Sequence, residues 1–189
     1  MKAKLMVLVI VVAAIAAAPV LADVVVDRSS GVVQYRLPND SQWRALEAGL
    51  QVPEGTTVIS GADGAASLTA GNSTITVAPL SRVVLDTVSI SPTREVAELD
   101  MPYGRVQAQV RRGRNRGMDF RVYTPVSTAA VRGTEFIFDG RSLEVTEGDV
   151  AYSNLSGQNH SVRAGQVSRT WGTEPIESVE ATMVDQLDF

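Results

Sequence analysis

Residues 120–139, F-R-V-Y-T-P-V-S-T-A-A-V-R-G-T-E-F-I-F-D, constrain the fold of this chain most. Phe120, Val122 and Thr124 alternate with Arg121 and Tyr123, the period of a half-buried strand. Pro125 fixes its own φ and lacks an N–H, which places a corner there. Thr134, Phe136 and Phe138 then alternate with Glu135, Ile137 and Asp139. Gly133 stands where a β-branched residue is expected, a mark of a bulge or a close backbone approach. The segment therefore reads as strand, corner, strand, glycine kink, strand.

The rest of the chain repeats this grammar. Residues 24–26 and 31–36 read as strands separated by a turn at 28–31. Three short strands follow at 58–60, 65–69 and 73–77, punctuated by Gly55, Gly61, Gly64 and Gly71, and 80–88 adds β-branched character. Residues 44–48 have weak helical character. Short strands between turn signals define an all-β chain and exclude βαβ units. A loose echo, G-x-V, opens strands at Gly104, Gly148 and Gly165, with Gly31 as a weaker copy. The echo suits an irregular solenoid that turns at glycine corners, and it suits a β-sandwich of hairpins equally well.

The two ends differ from the body. Lys2 and Lys4 precede an apolar run at 5–18, and Val20 and Ala22 are small residues at the positions a signal peptidase reads. That run is shorter than the roughly 20 residues a bilayer span needs. Residues 1–22 are therefore expected to be a cleavable secretory signal, followed by a β-domain over 23–172. At the other end, Glu174, Glu177, Glu180, Asp185 and Asp188 stand without a base. Ile176, Val179, Met183 and Leu187 share a helical face, so 173–189 is expected to form a short acidic helix or an acidic tail.

Composition removes several functions. The 189 residues contain no Cys and one His, so thiolate chemistry, disulfides and His-cluster metal sites are out of reach, and no cofactor is implied. Both lysines lie in the signal segment and no acid does. Residues 23–189 thus carry 15 Arg against 21 acids, a net charge of −6. Such a chain is no general nucleic-acid or anionic-membrane binder, and no further run is apolar enough to cross a membrane. Arg111, Arg112, Arg114 and Arg116 form a candidate contact for an anion or a protein partner, because guanidinium matches oxyanions bidentately; the alternative is a solvated hairpin loop. His160, among Gly and Asn in a loop, has no nucleophile to serve. Arg132 suits a charge-assisted bond beside the strands, and Trp43 and Trp171 suit core or edge covers. No catalytic or metal-binding residue emerges.

Thr124 and Pro125, followed by Val131, Arg132, Gly133, Thr134 and Phe136, resemble the signature of the FecR domain family, the β-domain of bacterial transmembrane regulators found also in other exported proteins. Gly49 to Gly55, Gly64 to Leu68, Gly104 to Val106, Val145 to Val150 and Val162 to Gln166 continue the likeness in order. The resemblance implies a β-solenoid-like (β-helix-like) domain and a protein-binding role in the cell envelope, periplasmic or extracellular. The family's regulators join such a domain to an anti-sigma segment and a transmembrane helix. Here a signal stands in that place, so a stand-alone, non-enzymatic exported module is expected, binding an envelope protein partner. An anion- or glycan-binding or structural envelope module is the alternative; a glycan binder would align Tyr35, Tyr103, Tyr123 and Tyr152.

Overall fold

The computed structural model describes residues 24–113, 117–174 and 176–180. The expected signal peptide, Arg114, Arg116 and residues 181–189 lie outside them. Within them the chain forms strands and turns and no helix. In chain order the strands are β1 Val24–Ser30, β2 Val33–Arg36, β3 Arg44–Ala45, β4 Gln51–Val52, β5 Thr57–Ser60 and β6 Ala65–Ala70. Next come β7 Ser73–Val77, β8 Arg82–Ile90, β9 Arg94–Tyr103, β10 Val106–Val110, β11 Gly117–Tyr123 and β12 Ser127–Val131. The last six are β13 Glu135–Phe138, β14 Ser142–Glu147, β15 Asp149–Asn154, β16 Asn159–Arg163, β17 Gln166–Arg169 and β18 Glu177–Glu180.

Period-two alternation dictates which side of each strand is dry. Leu68 in β6, Ile75 and Val77 in β7, Val106 and Ala108 in β10, and Phe136 and Phe138 in β13 are fully buried, while the residues between them reach solvent. These buried faces belong to two nine-stranded open sheets that share one core. The first runs β18-β17-β14-β13-β10-β7-β6-β1-β4 and the second β16-β15-β12-β11-β9-β8-β5-β2-β3. Every pairing is antiparallel except β9 with β11. The layers are pinned by two edge-to-face aromatic pairs, each with one ring from each sheet. Phe120 meets Phe136 at 6.2 Å and 71°, and Tyr152 meets Phe138 at 5.9 Å and 87°. Each such pair adds about 0.5–1.5 kcal/mol beyond the area it buries.

The architecture is therefore sandwich-like, and the solenoid expectation is corrected. A solenoid stacks equivalent coils in parallel, whereas this chain places hairpins alternately in the two sheets: β6–β7 in the first, β8–β9 in the second, β11–β12 in the second, β13–β14 in the first. The G-x-V echo marks neither coils nor hairpins but the points where the chain changes sheet. Gly31, Gly104, Gly148 and Gly165 each lead from a strand of one sheet into a strand of the other, and all have positive φ. At Gly104 the need is also steric: a Cβ there would lie 2.3 Å from Ser81 Cα.

Where they are described, at 44–45 and 177–180, the two segments with helical character are strands instead, for one reason. Arg44–Ala45 pairs with Tyr35 and Gln34 as a short edge strand, and Glu177–Glu180 pairs with β17 in register, Val179 opposite Val167. Each segment satisfies backbone groups of an otherwise open sheet edge, which outweighs a weak helical preference. His160 likewise lies in strand β16, exposed, rather than in a loop.

Candidate functional site

The turns gather at two ends of the sandwich. One end holds the β6–β7 and β8–β9 turns, the loop after β10 and the Arg132–Thr134 corner. Arg112 lies across this corner. Its Nε donates to the carbonyl of Arg132 at 2.6 Å, and a Cβ on Gly133 would fall 2.5 Å from Arg112 Cγ. The missing side chain of Gly133, with φ +81, thus makes room for an arginine stem. Arg111 donates to Gln109 Oε1 at 3.2 Å. Arg132 is exposed, not part-buried, and its contact is through its carbonyl. A recess of about 410 Å³ beside these arginines is also lined by Glu135 and Glu147, which oppose an incoming anion.

The other end carries the larger opening, an open cleft of about 670 Å³ assembled from four separated segments of turns and adjoining strand ends at 101–105, 124–126, 139–142 and 169–171. Its floor is hydrogen-bonded throughout. Thr124 Oγ1 accepts from the Ser127 amide at 3.0 Å and donates to the Ser127 carbonyl at 2.9 Å. Ser127 Oγ donates in turn to the Gly140 carbonyl. The Tyr152 hydroxyl donates to the Arg141 carbonyl at 2.8 Å, and burial pushes its pKa up to about 12. The Thr124–Pro125 half of the signature is thus a structural brace under the cleft.

The rim has a different character. Tyr103 and Trp171 are 55% and 65% exposed, and Arg105, Arg141 and Arg169 stand around them. The Arg141 guanidinium lies 5.1 Å over the Trp171 ring, a cation–π pair that fixes both side chains. Asp139 faces Arg105 at a long 3.8 Å, leaving the rim cationic on a net acidic chain. Sequence reasoning missed this site. Trp171, read as a core or edge cover, is a rim residue, and the three arginines come from segments far apart in sequence. The four tyrosines do not align: Tyr35 and Tyr152 are buried.

Elsewhere the charges neutralise one another. On the outer face of the second sheet, Asp119 sits between Arg94 at 2.9 Å and Arg121 at 3.1 Å, and Arg121 also reaches Glu98 at 3.0 Å. Hydrogen bonding at Tyr123 and the charges of Asp119 and Glu98 raise the Arg121 pKa further, keeping that guanidinium charged. Among the described residues no group of three metal-ligating side chains occurs. Aromatic rings beside guanidinium groups over a braced floor form a surface suited to holding a ligand rather than to moving protons.

The fold is an all-β sandwich-like domain whose signature residues divide between its two ends, Thr124 and Pro125 under the cleft and Gly133 and Thr134 at the opposite corner. Residues 56–151, half of the chain, match the FecR protein family, and the chain belongs to it. Two crystal structures of a candidate anti-sigma factor from Parabacteroides distasonis, at 1.65 and 2.50 Å, share the fold. The first has a TM-score of 0.53 at 14% identity and the second 0.52 at 13%. Each alignment covers 65% of this chain and 57% of the crystallised one, so the chain spans little more than half the length of that relative. No curated protein matches by sequence.

Proposed function

We propose that this chain is an exported FecR-type module that binds a protein partner in the bacterial cell envelope and catalyses no reaction. The observation that carries the reading is the cleft rimmed by Tyr103, Trp171 and three arginines above a braced floor. Exposed aromatics and arginines in one place are the composition of protein-interface anchors. Likeness to a candidate anti-sigma factor, whose work is done by binding protein, supports the same class of partner. Lys2 and Lys4 ahead of the apolar run at 5–18, with small residues at Val20 and Ala22, support export with cleavage after Ala22.

The test uses the tagged chain, cross-linked in its own cells, recovered from the envelope fraction and analysed by mass spectrometry. One protein partner recovered reproducibly, and lost when Trp171 and Arg141 are both changed to Ser, is the expected result. Recovery of polysaccharide or lipid with no protein would overturn the reading in favour of an anion- or glycan-binding module.

A further inference from the structure

The arginine-and-aromatic cleft is only part of a larger surface. Eight large apolar side chains are exposed among the described residues, and five of them lie at the cleft end: Val32, Leu80, Leu155 and Trp171 between strands and Tyr103 at the end of β9. These segments are one connected body. The Gly61 amide donates to the Val32 carbonyl at 2.8 Å and the Leu80 amide to the Gly61 carbonyl at 3.1 Å. Ser81 Oγ accepts from the Arg105 amide at 2.9 Å, and the Leu155 amide donates to the Gly172 carbonyl at 2.8 Å. Leu80 adds a second anomaly. It holds a left-handed backbone, φ 56°, which a glycine adopts without strain, yet it is a leucine with 64% of its surface in water. Its backbone closes the turn onto Gly61, but its exposed side chain contributes nothing to the core.

We infer that this end of the sandwich docks an acidic segment of a protein partner that also carries apolar side chains. The inference rests on the protein-binding reading above and specifies its surface and chemistry. The arginines select the carboxylates. Arg105, Arg141 and Arg169 surround the cleft, and the nearest carboxylate ion pair is the long Asp139 contact to Arg105. Glu177 stands opposite Arg169 across the β17–β18 ladder. Planar guanidinium forks match carboxylate bidentately. The aliphatic groups decide against a sugar chain. Leu80, Leu155 and Val32 offer nothing to hydroxyls, whereas they bury well against the apolar side chains of a protein.

The fluorescence of Trp171 reports the test directly, because Trp43 is the only other tryptophan. Trp43→Phe chain is titrated with the acetylated, amidated peptide Glu-Leu-Glu-Phe-Glu-Leu, with its Gln-for-Glu counterpart, with polygalacturonate and with inorganic phosphate. The acidic peptide is expected to change Trp171 emission saturably. Affinity should fall about tenfold or more for the Gln peptide and for the Arg141→Ser/Arg169→Ser variant, the loss of charge-assisted bonds. Leu80→Ser/Leu155→Ser should weaken it about fivefold or more while leaving the urea midpoint within error, since both side chains are exposed. Equal affinity for the Gln peptide, no saturable change with the acidic one, or equal binding of polygalacturonate or phosphate overturns the inference. In the cross-linking experiment, a partner retained by Arg141→Ser/Arg169→Ser but lost when Arg111, Arg112, Arg114 and Arg116 become Ser removes this inference alone; no protein partner at all removes the protein-binding reading.

Discussion

Alkaline unfolding isolates the energetic role of Tyr152. Its side chain is fully buried between the sheets, its ring packs edge-on against Phe138 and its hydroxyl donates to the Arg141 carbonyl. Burial is the main reason its pKa rises from 10 to about 12; the Asp139 charge adds to the rise, and the hydrogen bond with Ser127 works against it. The sign follows from proton counting. Below pH 10 the group is neutral in both states and contributes no pH dependence. Between 10 and 12 the unfolded chain releases this proton while the folded chain keeps it, so stability falls as pH rises. The loss reaches about 1.4 kcal/mol at pH 11 and about 2–3 kcal/mol by pH 12, at 1.36 kcal/mol per unit. Both lysines of the chain lie at positions 2 and 4, so in a chain beginning at Asp23 no lysine titration overlies this range. Urea unfolding followed by tryptophan fluorescence at pH 8, 9, 10, 11 and 11.5 measures it. Tyr152→Phe should be less stable at pH 8 by roughly 0.5–1.5 kcal/mol, because the Arg141 carbonyl loses one of its two donors and keeps the Thr170 amide. Its stability should then decline less steeply above pH 10 than that of the parent. Parallel pH profiles for the two proteins would refute the assignment of the alkaline loss to this hydroxyl.

Three further outcomes are expected. Phe136→Ala should cost about 3–5 kcal/mol in urea unfolding, because it empties a fully buried inter-sheet position, whereas Ile137→Ala on the opposite side of β13 should cost less than about 1.5 kcal/mol. Gly104→Ala should cost at least about 2 kcal/mol more than Gly49→Ala, since both have positive φ but only Gly104 would place its Cβ against the Ser81 backbone, Gly49 facing nothing within 4 Å. N-terminal sequencing of the chain recovered from the envelope fraction should begin at Asp23, and Ala22→Arg should leave the longer form; a protein still beginning at Met1 in the parent would contradict export by cleavage.

What the sequence reveals, and where it stops, follows the reach of each physical signal. Alternation acts over two residues, so β11, β12 and β13 stand where Phe120, Pro125 and Gly133 place them, with Val122, Phe136 and Phe138 inward. Membership of a sheet is a long-range choice. The same G-x-V tag at Gly104 and Gly148 leads into opposite sheets, so it cannot separate a solenoid from a sandwich. Helical spacing links Ile176 and Val179, yet Val179 has a partner in Val167 once β17 is in place, and over 177–180 the open edge decides. The arginine run at 111–116 is conspicuous because its members are adjacent, but Arg112 is spent on the Arg132 carbonyl and Glu135 and Glu147 line the adjoining recess. Tyr103, Arg105, Arg141, Arg169 and Trp171 are scattered over some seventy positions and meet only because four segments converge. A site built from separated segments carries no local pattern. Its trace in the chain is negative: a tryptophan and a leucine, Trp171 and Leu80, placed beside Gly172 and Pro79 in turns, where burial could not be their purpose.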